Sequence, residues 1–156
     1  MIFIGLIVLL AALDLCIKNA IEEQEEGAFP KTLEWLGGRI VLYKNHNPGF
    51  SFGFLKNRPE LVEMIPLGVA SFVGGMLTCL LQKKGQLAHK MAFSLVLGGA
   101  ISNLYDRLRR GYVVDYFSPQ IGKLKKVVFN LGDLFIFLGA AIWALAEIGA
   151  AWKNRR

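Results

Sequence analysis

The chain has 156 residues, of which 54% are hydrophobic and 19% are charged, and its formal net charge is +6. This length fits a single domain. The composition excludes a disordered chain, which needs low hydrophobicity, and argues against an ordinary soluble domain, in which about a quarter of the residues are charged. Two cysteines are too few for a disulfide-stapled fold. In a membrane protein, a basic excess indicates loops that contact anionic lipid headgroups rather than nucleic acid.

The apolar residues fall into four segments, each close to the roughly 20 residues that a helix needs to cross a bilayer. They predict an α-helical integral membrane protein with four transmembrane helices, forming a single membrane domain over residues 1–156. Cys16 and Cys79 fall in different spans, and we expect both to be buried thiols. The predicted spans cover about 1–19, 61–82, 90–106 and 130–152.

The two longer segments between the spans, about 20–60 and 107–129, predict a small β-rich cradle on one side of the membrane. The β-branched stretch 39–43 and the stretch 112–117 are strand candidates. Within 47–54, an Asn-Pro-Gly turn at 47–49 is followed by Phe50, Phe52 and Phe54 at alternate positions. This alternation predicts another strand with an aromatic face. These aromatic residues fit two interpretations: an interfacial belt, or a platform for a substrate at membrane level.

Ionisable side chains at membrane depth cost about 2.5–3.5 kcal/mol each, and they therefore tend to mark functional sites. The polar residues that interrupt the apolar segments are paired by helical spacing or by position: Asp14 with Lys18, Asn103 with Asp106 and Arg107, and Asn130 with Asp133. Asp115 interrupts the apolar stretch 112–117. Small residues at Gly98, Gly99 and Gly132 predict close helix packing nearby.

Each of these polar groups also has a purely structural interpretation. Asp14 and Lys18 fit an ion pair that reaches the membrane interface, and Asp106 with Arg107 fits the end of a span. Asp133 fits a carboxylate stabilised by the dipole of its helix, and Asp115 fits a solvated loop residue. Together, these interpretations require the aspartates and their neighbouring asparagines to gather at one membrane face by accident.

Carboxyl groups are the chemically competent residues that remain once other sites are excluded. The sequence has neither an HExxH or paired CxxC metal motif nor a GxSxG nucleophile motif. Two close carboxyl groups cannot both ionise cheaply, so they share a proton. One then takes a proton from water while the other protonates the substrate, which is the chemistry of an aspartic protease and needs no metal or cofactor.

The chain resembles the lipoprotein signal peptidase (signal peptidase II) family over nearly its whole length. Segment 98–117, GGAISNLYDRLRRGYVVDYF, is similar to the family pattern GGxxGNxxDRxxxGxVxDF, and segment 129–133, FNLGD, is similar to FNxAD. Weaker matches link 14–18 to DQxxK and 47–53 to an NxGxxFG-type loop. Three positions depart from these patterns, with Leu15 for glutamine, Ser102 for glycine and Gly132 for alanine. Since the aspartates and asparagines persist, we expect a divergent but active enzyme.

The resemblance implies that Asp115 and Asp133 are the catalytic pair. It implies further supporting or substrate-proximal residues, which are Asp14, Lys18, Asn47, Gly49, Asn103, Asp106, Arg107 and Asn130. Asp106 is the rival for the pair. We prefer Asp115 because the adjacent Arg107 neutralises Asp106, whereas an apolar strand would raise the pKa of Asp115.

The resemblance also implies a multi-pass protein of the bacterial cytoplasmic (inner) membrane, with the active site and the small β-rich cradle on the extracytoplasmic face. The implied substrate is a prolipoprotein with a diacylglyceryl-modified cysteine, which the enzyme cuts before that cysteine to release the signal peptide. We expect no cofactor, no metal and no nucleic-acid partner. We expect a monomer that is surrounded by membrane lipids. Two alternatives stay open: an inactive relative that binds lipoproteins or signal peptides, and a small membrane protein that handles protons or ions.

Overall fold

The computed structural model describes residues 1–50, 54, 55 and 57–153. Within these residues, four long helices and a small sheet form the fold, as predicted. The helices are α1 (Ile2–Glu22), α2 (Pro59–Leu81), α3 (Leu87–Arg110) and α4 (Leu131–Lys153). The strands are β1 (Lys31–Thr32), β2 (Ile40–Asn47) and β3 (Val113–Pro119).

Helix α3 is the centre of the bundle and packs against α1, α2 and α4. In the described part of the chain, α1, α2 and α4 are long and apolar enough to cross a membrane, whereas α3 carries more polar residues and is more buried. The outer helices expose large apolar side chains such as Phe72 and Leu145. Cys16 and Cys79 share this outward orientation, so the prediction that they are buried is wrong. A polar interior inside an apolar exterior is the arrangement expected of a bundle surrounded by lipid.

Helix α3 approaches its neighbours closely at positions that lack a side chain. A Cβ atom added at Gly98 would lie 2.7 Å from the Cβ atom of Leu10 in α1. A Cβ atom added at Gly99 would collide with the carbonyl oxygen of Gly132 in α4, and Gly139 lies similarly close to the α3 backbone. The predicted role of small residues in close helix packing is therefore confirmed at these positions.

The strands form an antiparallel sheet in the order β1-β2-β3. The strand candidates at 39–43 and 112–117 correspond to β2 and β3, whereas the two-residue strand β1 was not predicted because it is too short to show alternation. Of the aromatic strand predicted within 47–54, Ser51–Gly53 lie outside the described residues, and Phe54 belongs to a turn.

Strand β3 is buried along most of its length, so polar residues on it are shielded from solvent. Val114 and Tyr116 pack with Ile21 near the end of α1. This contact fixes β3 against the helix bundle and places Asp115, which stands between these two residues, beside the polar interior. The site is therefore built where the sheet meets the helices.

Candidate active site

Asp115 and Asp133 come from different elements, which are brought together by backbone hydrogen bonds between β3 and the residues just before α4. Asp115 lies in β3, and Asp133 lies in the first turn of α4. The carbonyl oxygen of Phe129, just before α4, accepts hydrogen bonds from the N–H groups of Tyr116 at 2.8 Å and Phe117 at 2.9 Å. Because this pairing holds the start of α4 against β3, both aspartates line one cavity.

Asn130 connects the two carboxyl groups. Its Oδ1 accepts a hydrogen bond from the Asp133 N–H at 2.9 Å, while Asp133 Oδ2 accepts one from the Asn130 N–H at 3.2 Å. This reciprocal pair resembles a capping box and satisfies N–H groups at the start of α4. The Asn130 Nδ2 atom donates to Asp115 Oδ1 at 2.8 Å. A single fully buried amide side chain therefore positions both aspartates.

Two further asparagines hold the other oxygens of the pair. Asn103 Nδ2 donates to Asp133 Oδ1 at 2.9 Å, and Asn47 Nδ2 donates to Asp115 Oδ2 at 3.0 Å. With Asn130, these contacts give each of the four carboxyl oxygens an N–H donor. The neutral amides orient the carboxyl groups without adding charge to the site.

The environment of Asp115 favours its protonated form. Burial in the strand, followed by the negative charge of Asp133, raises the pKa of Asp115 to about 7, while the hydrogen bonds from Asn47 and Asn130 act in the opposite direction. The side chain is only 4% exposed, so the interpretation of Asp115 as a solvated loop residue is wrong. A carboxyl group with a pKa near neutrality is suited to general acid–base chemistry.

Lys18 is the centre of a second, fully buried cluster behind the pair. Its Nζ atom lies 2.9 Å from Asp14 Oδ2 and 3.1 Å from Asp106 Oδ2. It also donates to Ser102 Oγ at 3.1 Å and to Asn103 Oδ1 at 2.7 Å. Since Asp14 and Lys18 are both fully buried, the interpretation of this pair as an interfacial ion pair is wrong. The Lys18 cluster supports the catalytic candidates through the shared contact with Asn103.

Asp106 is neutralised as expected, but by Lys18 and Arg110 rather than by Arg107. Arg110 Nη1 donates to Asp106 Oδ1 at 2.9 Å, and the Val114 N–H donates to Asp106 Oδ2 at 3.1 Å. Arg107 makes no described contact of this kind, because adjacent residues on a helix diverge whereas residues four apart face each other. Asp106 does not line the cavity that contains Asp115. Its position is therefore that of a structural ion pair at the end of α3.

Arg107 extends instead toward the cavity and the loop that follows β2. Its Nη2 atom donates to the Gly49 carbonyl oxygen at 3.1 Å, and its guanidinium carbon lies 5.3 Å from the centre of the Phe50 ring. This combination of a hydrogen bond and a cation–π contact holds the loop over the cavity. The buried Arg107 Nε makes no hydrogen bond among the described residues, so it remains available to a ligand.

Tyr116, whose hydroxyl group contacts Asp14, was not predicted as a site residue. The hydroxyl donates to Asp14 Oδ1 at 3.0 Å and accepts a hydrogen bond from the Leu131 N–H at 2.9 Å. Burial, followed by the charge of Asp14, raises the pKa of Tyr116 above its usual value and keeps the group neutral. A tyrosine next to Asp115 in an otherwise apolar stretch was the available signal, since a buried tyrosine hydroxyl usually has a partner.

The cavity has a volume of about 600 Å³ and is lined by both polar and apolar side chains. Asp115, Asp133, Asn103 and Arg107 are among its polar lining residues. The apolar wall is contributed by α2, α3 and α4 and includes Ile65, Val69, Val96, Ile136 and Phe137. The cavity therefore offers both a reactive polar centre and a surface for an apolar ligand.

Comparison with known proteins agrees with this arrangement. The chain matches the family model described as Signal peptidase (SPase) II over residues 6–148. It is 34% identical over 143 residues to a lipoprotein signal peptidase from Vibrio vulnificus, with 90% of this chain and 83% of the relative covered. It is 35% identical over 119 residues to a lipoprotein signal peptidase from Brucella ovis, with 75% and 72% covered.

The fold is also similar to a solved structure. A bacterial membrane enzyme determined by the in meso method superposes with a TM-score of 0.81 at 21% identity, covering 99% of this chain and 91% of that one. A second such structure gives a TM-score of 0.76 at 22% identity, covering 93% and 91%. The family match extends from α1 to α4 and spans every candidate residue from Asp14 to Asp133. The chain therefore belongs to the signal peptidase II family, a family of proteases.

Proposed function

We propose that this protein is an intramembrane aspartic endopeptidase that removes the signal peptide from prolipoproteins carrying a diacylglyceryl group on cysteine. The observation that carries the proposal is the pair of carboxyl groups of Asp115, which is buried, and Asp133, which is partly buried, in the lining of one cavity. Asn130 holds both groups, and neutral amides satisfy their oxygens. Membership of the signal peptidase II family supports signal-peptide removal as the reaction.

The pair performs hydrolysis by sharing one proton. Burial of Asp115 favours the proton there and leaves Asp133 ionised. Asp133 takes a proton from a water molecule, whose oxygen attacks the scissile carbonyl carbon, while Asp115 donates its proton to the carbonyl oxygen. When the resulting diol collapses, Asp133 protonates the leaving nitrogen, the C–N bond breaks, and Asp115 recovers a proton from a hydroxyl group. The pair then returns to its starting protonation state.

The surrounding residues keep this geometry rigid. Asn103 and Asn47 hold the outer oxygens, so neither carboxyl group can rotate away from the cavity. Lys18 is a positioning residue, since it donates to Asn103, which in turn holds Asp133. Arg107 fixes the loop at Gly49, and its Nε–H, which has no partner among the described residues, is left to bind a substrate.

The apolar wall fits a substrate that is part lipid and part peptide. Ile65 in α2 and Phe137 in α4 line the cavity yet are 45% and 55% exposed on the face that the bundle turns toward lipid. A diacylglyceryl chain can therefore enter from the bilayer while the peptide lies across Asp115 and Asp133. We place the cut just before the lipidated cysteine, and the site on the extracytoplasmic side of the inner membrane, where such precursors are exposed.

The test uses the full chain reconstituted in lipid and a precursor peptide with or without diacylglyceryl on its cysteine. Cleavage is followed by gel electrophoresis, and the new amino terminus is identified by mass spectrometry. We expect the lipidated precursor to be cut immediately before the modified cysteine, and the unmodified precursor to be cut much more slowly. Glu147→Gln, which changes a half-exposed carboxyl group paired with His89 far along α4, serves as the control and cleaves like wild type.

Two outcomes would overturn the proposal. Binding of the lipidated precursor without cleavage would identify an inactive relative that retains signal peptides or lipoproteins. Proton or ion flux without peptide binding would identify an ion-handling protein that uses the same carboxyl groups.

A further inference from the structure

The Asp14 carboxyl group is a point where four elements of the fold meet. It is fully buried in α1. Its Oδ2 atom accepts a hydrogen bond from Ser102 Oγ of α3 at 2.5 Å. Its Oδ1 atom accepts hydrogen bonds from the Tyr116 hydroxyl of β3 at 3.0 Å and from the Leu131 N–H of α4 at 3.1 Å. The position of this carboxyl group therefore determines how the first turn of α4 sits against α1, α3 and β3.

Two of the departures from the family pattern face the same oxygen of this carboxyl group. Ser102 replaces a glycine and donates its hydroxyl to Asp14 Oδ2. Gly132 replaces an alanine, and a Cβ atom added there would lie 2.9 Å from Asp14 Oδ2, 3.0 Å from Asn130 Oδ1 and 3.0 Å from the Gly99 carbonyl oxygen. These distances are tighter than ordinary van der Waals contact, so a methyl group at 132 requires the carboxyl group to move. The chain thus has a larger side chain on one side of Oδ2 and a smaller one on the other.

We infer that Ser102 and Gly132 are a coupled pair of positioning residues that together set the place of the Asp14 carboxyl group and, through it, of Asp133. The inference rests on the proposed function, because it treats Asp133 as the catalytic group. Ser102 pulls the carboxyl group toward α3 by its hydrogen bond, and Gly132 leaves it the space to remain in contact with α4. Neither change alone preserves the packing around Oδ2.

Two short connections transmit the position of Asp14 to Asp133. Asp14 accepts a hydrogen bond from the Leu131 N–H. Leu131 begins α4 and lies two residues before Asp133. Ser102 also accepts a hydrogen bond from Lys18, which donates to Asn103, and Asn103 in turn donates to Asp133. A shift of the Asp14 carboxyl group therefore reaches Asp133 by two routes. One acts through the backbone at the start of α4, and the other acts through the hydrogen bonds to the Asp133 side chain.

The test is a double-mutant cycle on the reconstituted full chain, with Ser102→Gly, Gly132→Ala and the two changes combined. Steady-state cleavage of a diacylglyceryl-modified precursor gives kcat and KM separately, and thermal unfolding is followed for each variant. We expect Gly132→Ala to lower kcat about tenfold or more and Ser102→Gly about threefold, with KM unchanged, because overpacking and a lost hydrogen bond each displace the catalytic group. We expect the double variant to recover to within about threefold of wild type, since the vacated space at 102 accommodates the displaced carboxyl group.

The matched control is Gly74→Ala, whose added Cβ atom meets no atom within 4 Å and which should change neither kcat nor unfolding. Tyr116→Phe removes only the hydroxyl that contacts Asp14 and keeps the ring, so it tests the same carboxyl group even if Gly132→Ala fails to fold. We expect it to lower kcat several-fold with KM unchanged.

The possible results separate the inference from the proposed function. If the double variant lowers kcat by the product of the two single effects, the two positions are not coupled and the inference is overturned. Coupling in thermal unfolding without coupling in kcat would also overturn it, because the pair would then serve packing alone. If wild type itself does not cleave the precursor, the proposed function fails, and additivity in thermal unfolding would then refute the coupling independently.

Discussion

Replacing Asn130 by alanine removes a side chain that contacts both catalytic candidates. The variant loses the hydrogen bond from Asn130 Nδ2 to Asp115 Oδ1 at 2.8 Å and the acceptor for the Asp133 N–H at 2.9 Å. The first contact stabilises the charged form of Asp115, so its loss raises the pKa of this group further above about 7. In the shared-proton mechanism, activity falls at alkaline pH when the pair loses its single proton. We therefore expect the alkaline limb of the pH profile to move to higher pH.

The size of the shift follows from the hydrogen bond that is lost. A hydrogen bond to a charged group contributes about 1.5–3 kcal/mol, and about 1.4 kcal/mol corresponds to one pKa unit. The alkaline limb of kcat/KM, which reports the free enzyme, should therefore move up by about one to two pH units. Asn47→Ala removes the donor to the other oxygen of Asp115 and should move the limb in the same direction. Unlike Asn47→Ala, Asn130→Ala also removes the cap of α4, and this loss lowers the free energy of unfolding by about 0.5–2 kcal/mol.

The assay is the pH dependence of kcat/KM for a diacylglyceryl-modified precursor peptide, normalised to each variant's maximum. Gln82→Ala removes an exposed amide outside the cavity and provides the control, whose limb should coincide with that of wild type. An alkaline limb that stays in place, or moves to lower pH, in both Asn130→Ala and Asn47→Ala would refute the assignment of Asp115 as the group that holds the shared proton.

Three further predictions concern the loop, the helix packing and the stability of the fold. Arg107→Lys should raise KM by a larger factor than it lowers kcat in the peptide assay, because lysine cannot reproduce the planar contact that holds the loop at Gly49. A rise in KM and a fall in kcat by the same factor would contradict this role. Gly99→Ala should lower the melting temperature measured by circular dichroism, since the added methyl group collides with the Gly132 carbonyl oxygen; an unchanged melting temperature would contradict the packing. The pKa of Asp115 is raised from 3.8 to about 7 on folding, so the folded state binds the proton more tightly and wild type should lose stability, up to about 4 kcal/mol, as pH rises from about 4 to about 7. Asp115→Asn should lack this loss in unfolding experiments, and a parallel pH dependence would contradict the burial argument.

Local spacing along the chain was enough to predict part of the site. Asp14 and Lys18, four residues apart, form the expected ion pair, and Asn130 and Asp133, three apart, make reciprocal hydrogen bonds. These contacts follow from helical periodicity, which brings residues three or four apart to one face. The position of Asp115 within a strand was likewise predicted from its apolar neighbours.

Contacts between distant elements could not be predicted in the same way. The arginine that pairs with Asp106 is Arg110 rather than Arg107, because the choice between two nearby arginines depends on the direction in which each leaves the helix. The meeting of Tyr116 and Ser102 at Asp14 joins residues about 90 to 100 positions apart, and composition contains no signal for such a contact. Sequence patterns therefore predicted which polar residues lie near one another more readily than which of them touch.

The most direct test of the catalytic pair is the rate of precursor cleavage by Asp115→Asn and Asp133→Asn, measured in single-turnover experiments with the reconstituted full chain. Each substitution keeps the shape of the side chain but removes its ability to exchange a proton. Thermal unfolding confirms that each variant is folded, and Glu147→Gln controls for the loss of a carboxyl group elsewhere in α4. We predict that each aspartate variant loses at least about 10³-fold in rate while it still binds the precursor. A folded variant of either residue that cleaves within tenfold of wild type would contradict the account.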